Sequence, residues 1–188
     1  MILTIADKKL LLLLARNAIV NRIAPGNPQL SIIPDPTDSV QLNCGAFVSL
    51  YVEGDLRGCI GTFSEEDTLY KNVKKMAESA ATSDSRFSPV QFCELEKMKI
   101  EISVLSPRER IYDKGDIILG KHGIYMEKGL NRGTLLPQVA ISQNWSVDEF
   151  LGNCAKYKAG IGWDGWQTAD LYLYEAFVFD SVQTISDC

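Results

Sequence analysis

Apolar and polar residues alternate along several parts of the chain, which is the pattern of strands with one buried face. The clearest case is residues 97–105, where apolar side chains at every second position would point to one side of a sheet. Residues 170–179 alternate in the same way, are rich in aromatic side chains, and predict a strand that joins the main sheet. Residues 123–128 and 134–141 indicate a second hairpin or ribbon around a loop at 129–133.

Three stretches carry the signals of helices. Residues 4–23 are highly apolar and open with Thr4 and Asp7, which form a capping pair. Residues 68–82 place their apolar side chains on one stripe, and residues 146–158 begin with a capping box. Hairpins and alternating strands with segregated helices, rather than a regular strand–helix repeat, favour an α+β fold with a mainly antiparallel sheet.

The clearest hairpin is predicted for residues 46–53 and 56–63, closed by a two-residue turn with Gly54 at its first central position. The connection that precedes it, residues 24–43, carries four prolines and several polar residues. We therefore expect that connection to be irregular and to lie at the surface.

The second strand of this hairpin begins with the motif LRGCIG at residues 56–61, which holds a thiol and a guanidinium two positions apart. Because alternate side chains of a strand share a face, Arg57 and Cys59 would point to one side and Leu56 and Ile60 to the other. A cation near a thiol favours the thiolate, which is the nucleophilic form.

The predicted turn also sets the register of the hairpin. It would place Cys59 opposite Leu50 and Arg57 opposite Val52, so that the thiol has apolar neighbours on one side and an arginine on the other. An ordinary buried cysteine is the alternative interpretation of Cys59.

Composition limits the classes of function. The 188 residues are 46% hydrophobic and 23% charged, which is typical of one globular domain, or of one domain with a smaller lobe. A net charge of -5 without a long basic run argues against a nucleic-acid partner, which needs a basic footprint.

Five widely spaced cysteines and a single histidine match neither a disulfide framework nor a zinc-ligand spacing. We therefore expect free thiols in a reducing, cytoplasmic compartment and no metal site. The apolar run at residues 10–14 is too short to span a bilayer and lacks a signal-peptide cleavage site. No Gly-rich phosphate loop or Rossmann fingerprint is present, so no bound cofactor is predicted.

Short motifs along nearly the whole chain resemble the AMMECR domain, named for the Alport syndrome, mental retardation, midface hypoplasia and elliptocytosis chromosomal region. Besides residues 56–63, the matching segments are GAFVSL (45–50), DSRF (84–87), ISVL (102–105), GKHGI (120–124), RG (132–133), LLPQVA (135–140), Trp145 and EFL (149–151). Cys154 and KAG at 158–160 resemble the microbial branch of the family. Ser88 departs from the pattern, since the family usually has proline there.

The resemblance implies a single AMMECR domain over residues 1–188 with a two-lobed α+β fold. Its larger lobe would carry both termini, and a smaller lobe, within about residues 107–145, would have its own short antiparallel sheet. The groove between the lobes is the implied site, but no reaction is established for the family. Microbial members are associated with a Memo-like protein and a radical S-adenosylmethionine protein, which implies a shared modification pathway with these partners.

Cys59 is therefore the candidate nucleophile. Arg57 would lower the pKa of the thiol or bind an anionic group, and His122 would act as its general base although it is distant in sequence. Two alternatives stay open: Arg57 could form only a surface salt bridge, and His122 could be a hydrogen-bonded structural residue.

Three further residues are candidates for substrate binding. Arg86, in the loop after the second predicted helix, offers a fork of donors for an anion, although such arginines often only pin a loop. Gly58 and Gly61 flank the thiol, and glycine inside a strand marks a close approach by backbone or ligand.

Two functions from different classes follow. The protein is predicted to be a cysteine-dependent enzyme, or else a non-catalytic binding or assembly subunit that uses the same groove. A Cys59→Ser variant separates them, because an enzyme should lose turnover and keep its partner whereas a scaffold should keep both.

Overall fold

The structure is a computed structural model that describes residues 3–26 and 30–181. The chain forms two compact units, of which the first takes in Met1–Leu105 and Phe177–Cys188 and the second takes in Ser106–Ala176. The bounds expected for a smaller lobe, about 107–145, stay a prediction.

Helices and strands alternate irregularly along the chain, as expected for an α+β fold. In chain order the elements are α1 (Ile5–Ile23), β1 (Ala46–Val52), β2 (Asp55–Thr62), α2 (Leu69–Thr82), β3 (Met98–Leu105), β4 (Glu109–Ile111), β5 (His122–Lys128), β6 (Asn131–Leu135), α3 (Pro137–Ser142), α4 (Val147–Asn153), a π-helical segment (Cys154–Ala159) and β7 (Asp170–Asp180). The strand pairs β1–β2, β1–β3, β4–β7, β5–β6 and β5–β7 are antiparallel. The predicted fold class, α+β with a mainly antiparallel sheet, is confirmed.

Helix α1 begins where the capping pair predicts. Thr4 Oγ1 accepts a hydrogen bond from the Asp7 amide, and the Asp7 carboxylate accepts one from the Thr4 amide, so two amides of the first turn are satisfied. The connection after α1 is irregular over residues 30–37 and then forms a short 3₁₀ turn at Asp38–Gln41.

In the first unit the strand order is β2–β1–β3–β7, which leaves β2 at the edge of the sheet. Helices α1 and α2 contribute to one core with the apolar residues of β1 and β3. The predicted alternation of β3 is confirmed, since the residues buried in this core are Met98, Ile100, Ile102 and Val104.

The side chains at the other positions of these strands point to the opposite face, which we call the distal face. It is defined by Phe47, Ser49 and Tyr51 of β1, Cys59 and Gly61 of β2, and Lys99, Glu101 and Ser103 of β3. Because β1 is paired on both sides, each of its distal residues has a partner in β2 or β3 directly beside it.

The hairpin turn lies one residue earlier than predicted. Val52 pairs with Asp55, so the two turn residues are Glu53 and Gly54 rather than Gly54 and Asp55. Both have positive φ angles, 54° and 95°, as a type I′ turn requires. The right-handed twist of the two strands favours this turn even though it places a glutamate in the left-handed region.

The second unit contains β4, β5, β6 and the first part of β7, with the strand order β4–β7–β5–β6. The expected ribbon over residues 134–141 is wrong beyond Leu135, because Pro137 starts helix α3 at the position where proline suits a helix. Helix α4 opens with the predicted capping box and continues as the π-helical segment, which ends at Gly160 with φ 68°.

Candidate functional site

Cys59 lies at the centre of the distal face, in the edge strand β2. It pairs with Ser49 of β1, which in turn pairs with Glu101 of β3, so the three side chains form one row across the sheet. The thiol is half-buried, and the Ser49 hydroxyl donates a hydrogen bond to Cys59 Sγ at 3.3 Å. The predicted register, with Cys59 opposite Leu50, is wrong.

The register changes because β2 bulges at Arg57. Gly58 pairs with Leu50 and Leu56 pairs with Tyr51, so Arg57 is an extra residue that has no partner in β1. The expected pairing of Arg57 with Val52 is therefore wrong as well. The bulge also breaks the alternation, so that Leu56, which pairs with the distal residue Tyr51, lies on the same face as Cys59.

The Arg57 guanidinium is held by the loop that precedes β3. Nε and one terminal nitrogen bind the two carboxylate oxygens of Glu94 at 2.7 and 3.1 Å. Further hydrogen bonds go to the carbonyl oxygens of Ser88, at 2.6 Å, and Pro89, at 3.1 Å. Both side chains of the ion pair are mostly buried, 19% and 22% exposed, and the pair lowers the pKa of Glu94. This geometry supports the salt-bridge alternative for Arg57.

We expect the substitution Arg57→Lys to cost about 1–2 kcal/mol of folding free energy, because lysine cannot reproduce the bidentate pair and the two carbonyl contacts. Urea unfolding measures this loss, and Arg22→Lys on the exposed surface of α1 is the matched control. The alkylation rate of Cys59 should stay within about twofold of the parent protein. A tenfold fall in that rate would instead show that Arg57 acts on the thiol.

A second arginine, Arg86, lies next to Cys59. Its Nε and one terminal nitrogen bind the carboxylate of Asp84 at 2.9 and 2.7 Å, and the same terminal nitrogen donates to the carbonyl oxygen of Cys59 at 3.2 Å. The pKa of Arg86 is raised, first by the hydrogen bonds to Asp84 and in a smaller part by the Cys59 side chain. Arg86 is thus a cation in direct contact with the Cys59 residue, through its carbonyl oxygen.

The free edge of β2 is closed at Cys59 by these two side chains. The Cys59 amide donates to Asp84 Oδ2 at 2.8 Å, while its carbonyl accepts from Arg86. Asp84 is almost fully buried, with 4% of its side chain exposed. Side-chain groups therefore replace the neighbouring strand that an edge strand lacks, and they hold the backbone of Cys59 in place.

The two flanking glycines have packing roles. A Cβ on Gly58 would lie 2.1 Å from the carbonyl oxygen of Ala80 in α2, so the helix backbone approaches β2 directly at this point. A Cβ on Gly61 would lie 2.2 Å from the ring of Phe47. Both glycines therefore mark a close approach, as predicted. At Gly58 the approaching group is helix backbone, and at Gly61 it is an aromatic side chain. Their expected part in substrate binding stays a prediction.

Two further polar groups of the distal face were not found from the sequence. The pKa of Tyr51 is raised, first by burial and then by the nearby Glu101 and Cys59 side chains. Burial, and next the nearby Asp180, raises the pKa of Glu101, whereas Lys99 lowers it. The strand pattern did contain a signal for these polar residues, because positions 49, 51 and 101 alternate with core residues and must therefore lie on the opposite face.

His122 lies at the start of β5 in the second unit. Its Nδ1 accepts a hydrogen bond from the Ile118 amide at 3.1 Å, which places the proton of the neutral ring on Nε2. This contact is the one expected of a structural histidine. The role of His122 as general base for Cys59 stays a prediction.

The other described cysteines differ in exposure. Cys44 and Cys154 are buried, and burial raises the pKa of their thiols to about 11 and about 12. The expectation that Cys154 belongs to the core is confirmed. Cys93 is a free, exposed thiol, and Cys188 lies outside the described residues.

The described part of the chain, residues 3–26 and 30–181, offers neither a metal site nor a membrane-spanning helix. No three His, Cys, Asp or Glu side chains are grouped there so that they could hold a metal ion. None of the helices formed there combines the length and the apolar character needed to cross a membrane.

The sequence matches a known family over most of its length. The family model described as AMMECR1 matches residues 12–179. The chain belongs to the AMMECR1 family. The resemblance read from the short motifs is thereby confirmed.

AMMECR1-family relatives of similar length are found in archaea. Protein MK0488 of Methanopyrus kandleri is 38% identical over 189 residues, which cover 95% of this chain and 90% of the relative. A protein of Methanocella arvoryzae is 35% identical over 190 residues, covering 96% and 94%. The crystal structure of uncharacterized protein PH0010 from Pyrococcus horikoshii superposes with a TM-score of 0.81 at 33% identity, covering 90% of this chain and 89% of that chain.

Proposed function

We propose that this AMMECR1-family protein is a cysteine-dependent enzyme and that Cys59 is its nucleophile. The observation that carries the proposal is the position of the thiol, half-buried and 3.3 Å from the Ser49 hydroxyl. Nucleophilic cysteines lie in partly exposed sites beside a cation and hydrogen-bond donors, whereas structural cysteines are enclosed by apolar groups. Cys44 and Cys154 of this chain are of the second kind.

The surroundings of Cys59 supply the parts that such a reaction needs. The Arg86 guanidinium is bonded to the Cys59 backbone carbonyl, and Ser49 donates a hydrogen bond to the sulfur. The bonds of Asp84 and Arg86 to the Cys59 backbone fix the direction of the side chain. Over half of the Arg86 side chain is exposed, 54%, so its remaining donors can also bind an anionic group of the substrate.

The reaction is a covalent transfer. The sulfur lone pair forms a bond to an electrophilic carbon of the substrate, and the bond from that carbon to the leaving group breaks. The leaving group departs with the electron pair and takes up the proton that the thiol lost. Attack by water or by an acceptor group on the resulting adduct then restores the thiol.

The alternative, a binding or assembly subunit, has one observation in its favour. Arg57 and Gly58 are both occupied by contacts within the protein, with Glu94 and with the backbone of α2. Under this alternative the motif would shape a rigid surface for a partner.

A Memo-like protein and a radical S-adenosylmethionine protein are the partners we propose under either function. We also propose a reducing, cytoplasmic compartment, because the spacing of the five cysteines in the sequence is not that of a disulfide framework.

Acylation with p-nitrophenyl acetate tests the enzyme proposal. The native protein should release one equivalent of nitrophenolate in a burst, with the acetyl group located on Cys59 by mass spectrometry. Cys59→Ala should abolish the burst, and Cys93→Ala, which removes an exposed thiol, should keep it. Acetylation of Cys93 without acetylation of Cys59 would contradict the proposal. If Cys59→Ser then binds its partner and supports the downstream modification as well as the parent, the binding alternative is the correct one.

A further inference from the structure

We infer that the second unit carries a binding site for a small planar aromatic ring with a single carboxylate group. The site is a cavity of about 390 Å³ beside strand β4, which we call the β4 cavity and which is lined by residues 110–114, 166, 167 and 169–171. Sites for small molecules have volumes of about 300–1,000 Å³, so one ring and its substituent fit. The inference goes beyond the proposed function, because these residues all belong to the second unit whereas Cys59 belongs to the first.

Part of the lining of the β4 cavity is apolar. Ile111, Trp166, Ala169 and Leu171 pack against the core of the second unit and are only half-buried. Each of them therefore keeps apolar surface that this core does not cover. A ligand ring placed on that surface would remove it from water, which favours binding.

A second aromatic ring is supplied by Tyr112, which directly follows β4. The residue is 87% exposed, so almost none of its surface is used by the core. Tyrosine and tryptophan present large, rigid ring faces with a polar atom at one end, and such rings stack against other flat groups. The exposed ring of Tyr112 and the half-buried ring of Trp166 line the same cavity, and this pair favours a flat ligand.

Each of the two rings already lies beside a cation of the protein. The central carbon of the Arg110 guanidinium is 5.2 Å from the ring centroid of Tyr112, and Lys114 Nζ is 5.6 Å from that of Trp166. Aromatic rings can attract a cationic ligand to their faces. Here the protein supplies both cations itself, so the arrangement favours a ligand with a negative charge.

Both cations keep hydrogen-bond donors for such a ligand. One terminal nitrogen of Arg110 binds Asp170, and Lys114 Nζ binds Asp148 at 2.5 Å. A guanidinium has five N–H donors and an ammonium group has three, so one such bond leaves others. About half of each cationic side chain is exposed, 48% and 47%. Ion pairs as exposed as these are weak, so a ligand carboxylate can replace that of Asp170 at little cost.

The charges of the lining favour a ligand with one negative charge. The positive charges of Arg110 and Lys114 are balanced by the carboxylates of Asp113 and Asp170. Asp113 is occupied as the cap of the following 3₁₀ turn, where its Oδ1 accepts the Gly115 amide at 2.8 Å. A carboxylate adds a single charge and matches the planar fork of a guanidinium with its two oxygens. A phosphate group would bring up to two charges to a lining that has no net positive charge.

A chemical-shift titration of the native protein with indole-3-carboxylate tests the site. We expect saturable shifts at residues 110–114 and 166–171, with a dissociation constant of about 1 mM or lower. Indole-3-carboxamide keeps the ring without the charge, and cyclohexanecarboxylate keeps the charge without the flat ring. Each should bind at least about fivefold more weakly than indole-3-carboxylate.

Two substitutions of exposed side chains should weaken this binding and leave the fold intact. Tyr112→Ala and Arg110→Gln should each raise the dissociation constant at least about fivefold. Tyr157→Ala is the matched control, because Tyr157 is also an exposed tyrosine and has Lys156 Nζ 4.9 Å from its ring centroid. Tyr157 does not line the β4 cavity, so this variant should bind as the parent protein does.

Four results would overturn the inference. The site is wrong if indole-3-carboxylate gives no saturable shift up to about 10 mM, or if Tyr157→Ala weakens binding as much as Tyr112→Ala. The anionic class is wrong if indole-3-carboxamide binds as tightly as the carboxylate. Tighter binding of adenosine 5′-monophosphate than of indole-3-carboxylate would contradict the limit of one negative charge.

Discussion

Replacing Gly58 with alanine should cost about 3 kcal/mol or more of folding free energy. The new Cβ would lie 2.1 Å from the carbonyl oxygen of Ala80 and 3.1 Å from its carbonyl carbon. These are backbone atoms of α2 and cannot move aside by a rotation, so either the helix shifts away from the sheet or β2 does. Both movements open the core between α2 and the sheet. Urea or thermal unfolding measures the loss.

Two other glycines show whether the effect comes from the backbone contact. Gly61→Ala should cost less, because its Cβ would meet the ring of Phe47, which can rotate. Gly115→Ala should change the stability by no more than about 0.5 kcal/mol, since its Cβ would meet only a side chain at 3.2 Å. A Gly58→Ala protein as stable as Gly115→Ala would contradict this packing of α2 against β2.

Replacing Asp84 with asparagine should cost about 2 kcal/mol at neutral pH. The Asp84 carboxylate is buried, pairs with Arg86 and accepts the Cys59 amide, and an uncharged amide leaves the guanidinium without its counter-charge. The cost is reduced by the exposure of Arg86, which water can still solvate. Because Asp84 also holds the Cys59 backbone, we expect the alkylation rate of Cys59 to change together with the stability.

The loss of folding free energy caused by Asp84→Asn should be larger at neutral pH than at acidic pH. The hydrogen bonds from Arg86 hold the pKa of Asp84 well below its usual range. A depressed pKa in the folded state contributes stability that is complete above the pKa of the unfolded chain, about 3.9, and is lost as the pH falls further. The difference in stability between parent and Asp84→Asn should therefore be largest above about pH 5 and shrink below pH 4. Asp67→Asn, in an exposed ion pair with Lys71, is the control and should show little difference at any pH.

Much of the fold could be predicted because its signals are local. The capping pair at Thr4 and Asp7 and the alternation of β3 each depend on residues close in sequence, and both are confirmed. The ribbon expected at 134–141 was wrong beyond Leu135, because Pro137 is equally compatible with a loop and with the first turn of a helix. Tertiary packing decides between these, and the sequence does not show it.

The arrangement around Cys59 depended on one feature that alternation cannot predict. A single extra residue at Arg57 shifts the pairing of β2 and changes which side chains share a face with the thiol. The motif identified Cys59 correctly as a residue on a strand, but it assigned the neighbouring cation to Arg57. The Arg86 guanidinium, in a loop 27 residues further along the chain, also bonds the Cys59 carbonyl, and only the fold brings it there.

The competing alkylation of Cys59 and Cys93 in the native protein at pH 7 tests the central proposal most directly. Both thiols are in one sample, and Cys93 is the more exposed of the two. If Cys59 is an activated nucleophile, iodoacetamide should modify it about tenfold faster than Cys93 despite its lower exposure. If Cys59 reacts no faster than Cys93, or reacts only after the protein unfolds, the thiol is structural and the cysteine-dependent enzyme proposed for this AMMECR1-family protein is wrong.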